Sequence, residues 1–130
     1  MTVRIKRIYE PADKNDGVRV LVDRIWPRGV SRFDAKIALW DKAVAPTTEL
    51  RRWFGHKPER WEEFQRRYRA ELGHSSAVTD LRKLTRNQVV TLLYAAHDKE
   101  HNHALVLAAI LGRKRAARAP SKLAKRKRAK

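Results

Sequence analysis

The sequence predicts a small α/β domain whose sheet is at least partly parallel and covered by helices. Three observations carry that prediction. Two short apolar runs rich in β-branched residues, Val18 to Val22 and the run from Val89 that stops at His97, read as interior strands. Between and after them, apolar residues recur at helical spacing. The chain has 130 residues, 42% of them hydrophobic, which suits one domain with a real core.

The elements follow in order. Val3 to Tyr9 alternates, with Val3 and Ile5 on one side and Arg4, Lys6 and Ile8 on the other, so it reads as a short strand with at least one wet face. Glu10 to Gly17 gathers turn formers and reads as a loop. The strand Val18 to Val22 exits into Asp23-Arg24-Ile25-Trp26-Pro27-Arg28-Gly29, where Pro27 pushes Trp26 toward an extended conformation. Ser31 with Asp34 three residues on resembles a cap. A short helix is expected through Lys36 to Trp40, with Phe33, Ile37 and Trp40 near one face. Thr47 or Thr48 caps the next helix, which carries Leu50, Trp53 and Phe54 and stops at Gly55. Pro58 suits the first turn of the following helix. There Trp61, Phe64, Tyr68 and Leu72 share a face between charged positions. Ser75 or Ser76 caps a third segment with Val78, Leu81 and Leu84 inward, and Val89 opens the last strand. Ala104 to Leu111 gives a strongly apolar final helix that ends near Gly112. Only three strands are visible, so the sheet is small or one strand is hidden, and the crossover from Val22 to Val89 is expected to be right-handed.

Charge divides the chain. The net charge is +17, and ten of the 31 Lys and Arg residues fall in residues 113–130, which hold no acid. Removing those ten leaves 21 basic against 14 acidic residues, or +7 for residues 1–112. A like-charged block repels itself, so residues 1–112 are expected to fold and residues 113–130 to form a disordered basic tail. The expected partner of the tail is nucleic acid or another polyanion, reached through Arg113, Lys114, Arg115, Arg118, Lys125, Arg126, Lys127 and Arg128. The alternative is a terminus that merely solubilises. With no cysteine there is no disulfide framework and no thiolate chemistry. No secretory signal or long apolar run appears, so a cytoplasmic protein without membrane contact is expected.

Several strings together resemble one family. They are Val20 to Gly29, Thr48 to His56, Arg60-Trp61-Glu62-Glu63-Phe64, Leu92 to Asp98, and Glu100 to Ala104. In content and order they resemble the domain-of-unknown-function-488 (DUF488) family, YeaO-like branch, over residues 3 to about 111. The resemblance implies a small bacterial cytosolic α/β protein and no particular activity. The sequence carries no helix-turn-helix reading head, so the transcription-regulator label given to some relatives is not expected to apply.

Ligands of open α/β sheets sit at the carboxyl ends of strands. Two polar segments hold that position: Asp23 to Gly29 and His97 to His103. If their strands are parallel neighbours, the segments meet, and Arg24, Arg28, His101 and Asn102 are expected to face one cleft. Arg24 and Arg28 are guanidinium cations suited to a bidentate grip on phosphate. The start of the last helix, near Asp98 to His101, is expected to add free N–H groups. The competing reading has Asp23 paired with an arginine and Asp98 capping that helix. Trp26 either stacks a base or plugs the core beneath its loop. Tyr94 is either a polar core residue or a donor to the site. His101 or His97 suits proton transfer with Asp98 as orienter, which leaves a small enzyme acting on an anionic metabolite open. His97, Asp98, His101 and His103 were weighed as metal ligands. His101 and His103 point apart on a helix and no Glu stands where a zinc protease needs one, so neither a metal nor a cofactor is expected. A third alternative is a structural or adaptor protein in which these strings only build the fold.

Overall fold

The computed structural model describes residues 2–73 and 75–112. Among them, four strands form one sheet: β1 (Thr2–Arg7), β2 (Val18–Leu21), β3 (Leu39–Trp40) and β4 (Val89–Tyr94). Their order is β1-β4-β2-β3, and every pairing is parallel. Helices cover the sheet: α1 (Arg32–Ala35), α2 (Thr48–Phe54), α3 (Trp61–Leu72), α4 (Ser76–Leu84) and α5 (His103–Gly112). The tail predicted for residues 113–130 lies outside the described residues.

The strand that reads most apolar takes the middle. β4 pairs with β1 on one side and β2 on the other, and Val90 through Tyr94 are all buried. Both faces of the sheet are covered, which is the usual condition of a parallel sheet. Val20 and Val22 of the β2 segment, with Val90 and Leu92 of β4, join the main core beneath α2 to α5. Leu21 and Leu93 point to the other face, against Ile8 and Ala35, with Trp26 and Trp40 packed around them.

That second face also holds charge. Asp16 is buried and takes Arg19 Nη1 at 2.6 Å and Lys6 Nζ at 3.0 Å. Arg19 further donates to the Ala35 carbonyl, and Thr91 Oγ1 donates to the Asp16 carbonyl at 2.7 Å. The chain reaches β2 from Asp16 through Gly17, whose φ is +65°. A Cβ there would lie 2.2 Å from the Val89 carbonyl oxygen, so only glycine fits.

The helical core is aromatic. Phe64 stacks on Phe54 at 4.4 Å between ring centroids, and Trp61 and Tyr68 extend the cluster along α3. Thr47 caps α2 through the Leu50 N–H and is itself held by Glu71 of α3, whose carboxylate accepts from the Thr47 N–H and hydroxyl. Pro58 sits in a separate 3₁₀ turn, Pro58–Arg60, ahead of α3 instead of in the first turn of α3 itself.

One predicted element is corrected. Ser31 does cap a helix through the Asp34 N–H, but α1 stops at Ala35, because Lys36 turns left-handed at φ +50°. Leu39 and Trp40 then form β3, the hidden fourth strand, instead of helix. The open edge of β2 draws them in: the Ala38 N–H donates to Arg19 O and the Asp41 N–H to Leu21 O, each at 2.8 Å. Phe33, expected to share a face with Ile37 and Trp40, is 84% exposed.

Candidate functional site

Parallel pairing of β2 with β4 puts the two polar exits side by side. The register runs from Val18 opposite Val90 to Leu21 opposite Leu93. The ladder continues past the strands, since the Val22 N–H donates to Leu93 O at 3.1 Å. Asp23 then turns its carboxylate across, and Oδ2 accepts from the Ala95 N–H at 3.1 Å. From the other side, His103 Nε2 lies 3.0 Å from Val22 O and 3.1 Å from Asp23 Oδ1. The imidazole at the start of α5 therefore locks the two exits together.

A cavity of about 570 Å³ opens over this lock. Its polar lining comes from Asp23 and Arg24 after β2, and from His97, Asp98, His101, Asn102 and His103 after β4. Arg51 and His56 from α2 and its exit complete the polar groups, and Phe54, Phe64, Ile25 and Pro46 supply apolar wall. The structure thus brings together Arg24, His97, Asp98, His101 and Asn102. It leaves Trp26, Arg28 and Tyr94 outside the lining.

Each of those three has its own setting. Trp26 Nε1 donates to Val30 O at 2.7 Å, its ring meets Trp40 edge to face at 5.2 Å, and Arg32 lies over it. It packs with the second core cluster beneath its loop. Arg28 has an exposed side chain, and its carbonyl accepts from Tyr9 Oη. Tyr94 is buried among the main core residues, and that burial pushes its phenol above the usual tyrosine range.

The corner before α5 is capped differently from the expectation. Asp98 does not cap α5. Its carboxylate accepts from the N–H groups of Glu100 at 2.8 Å and His101 at 3.1 Å, folding the turn that precedes the helix. Those two backbone bonds and the His101 ring hold the Asp98 carboxyl below its usual range, the Glu100 N–H contributing most. Asn102 is the cap: Oδ1 accepts from the Leu105 N–H at 3.1 Å, and Nδ2 donates to Asp98 O at 3.0 Å. The backbone donors expected free near Asp98 to His101 are therefore partly engaged, and so is the Asn102 amide. The physical reason is local: an Asx side chain satisfies the nearest orphan N–H groups before any ligand can.

His101 keeps one open nitrogen. Nδ1 lies 2.8 Å from Asp98 Oδ2, the ring sits edge-on to Trp61 at 5.4 Å, and no described residue bonds Nε2. His97 is exposed and precedes the helix, so the His97–His101 spacing does not form a helical pair. Among the described residues, no group of three or more His, Asp or Glu side chains stands close enough to hold a metal ion.

The arginines differ. Arg24 donates Nε to Pro46 O at 3.1 Å and Nη2 to Ala45 O at 3.2 Å, which ties the β2 exit to the loop before α2. Arg51 was not singled out from the sequence, because an arginine on a helix reads as solvated surface. Its one signal was position: it precedes the buried Phe54 by three residues, so it borders the inward face. His56, just past α2, also reaches the cavity and adopts φ +58°.

Comparison with known proteins gives a consistent family. A model described as "Inactive DUF488-N3 subclade" matches residues 2–127, which extends past the motif-bearing strings into the basic tail. An uncharacterized protein of Mycobacterium tuberculosis is 50% identical over 109 residues, covering 84% of this chain and 92% of that protein. A counterpart in Mycobacterium bovis matches to the same extent. The uncharacterized protein YeaO of Escherichia coli is 43% identical over 109 residues, 83% of this chain and 95% of its own length. No solved structure matches.

Proposed function

Because the chain belongs to the DUF488 family, whose matching subclade is described as inactive, we propose that it binds an anionic ligand without transforming it. The ligand is a nucleotide phosphate or a nucleic-acid strand held at the carboxyl ends of β2 and β4. One observation carries this reading: two guanidinium groups, Arg24 and Arg51, line a single cavity at the sheet edge where open α/β folds place ligands. The acids beside them already have donors. Asp23 Oδ2 has the Ala95 N–H while its Oδ1, without a hydrogen bond, lies 3.1 Å from His103 Nε2, and Asp98 has two backbone N–H groups and the His101 ring. The positive side chains dominate what the cavity offers. The basic residues at 113–130 add sequence-independent affinity for nucleic acid.

Calorimetric titration of the full chain with inorganic phosphate, nucleoside 5′-monophosphates and short oligonucleotides tests the proposal. Saturable binding that weakens with added salt is expected. Failure of all three to bind overturns it.

A second reading rests on the His101–Asp98 pair, whose 2.8 Å contact leaves Nε2 open on a ring that lines the cavity. That arrangement suits acid-base work on an anionic metabolite. Product formation during the same titrations, lost in His101→Gln, would favour it over pure binding.

A further inference from the structure

We infer that Arg51, and not Arg24, grips the anionic group of the ligand, and that the same ligand carries an aromatic ring which covers Ile25: the chemistry of a nucleoside 5′-monophosphate. The inference rests on the anion-binding reading above and narrows it to a residue and a ligand class.

The two arginines differ in which donors are free. A guanidinium grips an oxyanion with two parallel N–H groups. In Arg24, Nε and Nη2, one such pair, are already bonded to Pro46 O and Ala45 O. A two-pronged grip through that pair would break a contact that fixes the loop before α2, so Arg24 offers only its Nη1–Nη2 edge, on a group already held by two carbonyls. Arg51 has no such engagement. Its Nε is buried without a hydrogen bond, and no described residue forms an ion pair or hydrogen bond with its guanidinium. Its Nη1–Nη2 pair is thus uncommitted.

Arg82 supplies a control within the molecule. Its Nε is also buried and unbonded, but its Nη2 donates to the Ile110 carbonyl, and it lines no part of the cavity. An unbonded Nε alone therefore distinguishes nothing. Arg51 stands apart because it faces the cavity and its guanidinium has no partner among the described residues. A partly buried cation without an acceptor is unfavourable until one arrives.

The apolar half of the ligand follows from a separate observation. Ile25 lines the same cavity yet is 61% exposed, whereas Pro46, Phe54 and Phe64 of the lining are buried. A flat ring laid on Ile25 covers apolar surface that water otherwise wets. A bare inorganic anion would leave that surface open.

The test uses the full chain. Wild type is titrated with a nucleoside 5′-monophosphate, the matching nucleoside, inorganic phosphate and benzoate, the last giving the same charge-plus-ring chemistry with a carboxylate. The monophosphate should bind tightest. Arg51→Gln should weaken it roughly ten- to hundredfold, with Arg51→Lys recovering part of the loss. Arg24→Gln should weaken it less and lower the melting temperature more. Ile25→Ser should weaken the monophosphate while leaving inorganic phosphate unchanged. In parallel, the Arg51 Nε–H signal of ¹⁵N-labelled wild type should shift on saturation, which keeps the test valid if a variant fails to fold. Wild-type binding with an unmoved Arg51 signal, or with Arg51→Gln as tight as wild type, overturns the inference and leaves the binding reading standing. Equal affinity for phosphate and monophosphate overturns the ring assignment. Tighter binding of benzoate overturns the phosphate assignment. If wild type binds none of the four, this inference falls, and the binding reading survives only if an oligonucleotide still binds.

Discussion

Asp16 is the residue on which the second face of the sheet depends. Burial pushes its carboxyl up, but the Lys6 ammonium, the Asp13 backbone N–H and Arg19 together outweigh that and hold it below the usual carboxylate range. Replacing it with Ala leaves Arg19 buried without its counter-charge and should cost about 3–5 kcal/mol, measurable by urea unfolding. The pH dependence has a definite sign. A lowered folded value means the Asp16 contribution is complete above the ordinary aspartate range, about pH 4, and is lost as pH falls through the lower folded value. The stability gap between wild type and Asp16→Asn should therefore narrow in acid, and a gap that is constant from pH 7 to about pH 2 would contradict the assignment. Neither this cluster nor Arg51 was legible in the sequence. Arg19 sits in the middle of an apolar strand and Asp16 in a turn-forming loop, and only the fold brings them together. By contrast, Asp23, Arg24, Asp98 and His101 were legible, because each follows an interior strand.

At the scale of elements, α3 was the clearest reading, and its packing gives a test. Phe64 is buried against Phe54, Trp61 and Tyr68, so Phe64→Ala should cost about 3–5 kcal/mol and lower the melting temperature accordingly. An unchanged midpoint in calorimetry would show that the cluster is not packed in this way. Long periodic segments such as α3 announce themselves because four residues repeat one face. β3 could not, since two residues cannot display a period, and its place comes from the edge of β2 and from Trp40, whose Nε1 donates to Asp23 O at 2.8 Å. The start of α5 misled for a similar reason. Asp98 and Asn102 are both good caps, and only the coordinates decide that Asn102 serves the helix and Asp98 the turn before it.

For the molecule as a whole, charge and fold are expected to separate. Removing residues 113–130 takes away ten of the 31 basic residues and no acid, and no apolar pattern in that stretch serves a core. The truncated chain should melt at the same temperature as the full chain but bind duplex DNA or RNA more weakly. Its affinity should also depend less steeply on salt, since fewer phosphates release counterions. Equal affinity at every salt concentration would remove the tail from the binding account. Adjacency of the two strand exits was inferable only conditionally, from two apolar runs whose pairing the sequence could not fix. The parallel β2–β4 register supplies that condition.

α5 starts at the cavity and ends at Gly112, with Arg82 bonded to the Ile110 carbonyl near its far end. Ten helical residues at about 1.5 Å each place the root of the tail roughly 15 Å from the cavity. The 18 residues beyond it reach at most about 60 Å when fully extended. A single nucleotide offers one phosphate, which the cavity takes up, whereas a strand of several nucleotides offers further phosphates to the tail while the cavity stays occupied. The second contact then becomes intramolecular, at a local concentration on the order of millimolar. Mononucleotides and oligonucleotides should accordingly part company under truncation: the first keep their affinity, and the second lose the avidity that the two linked contacts confer.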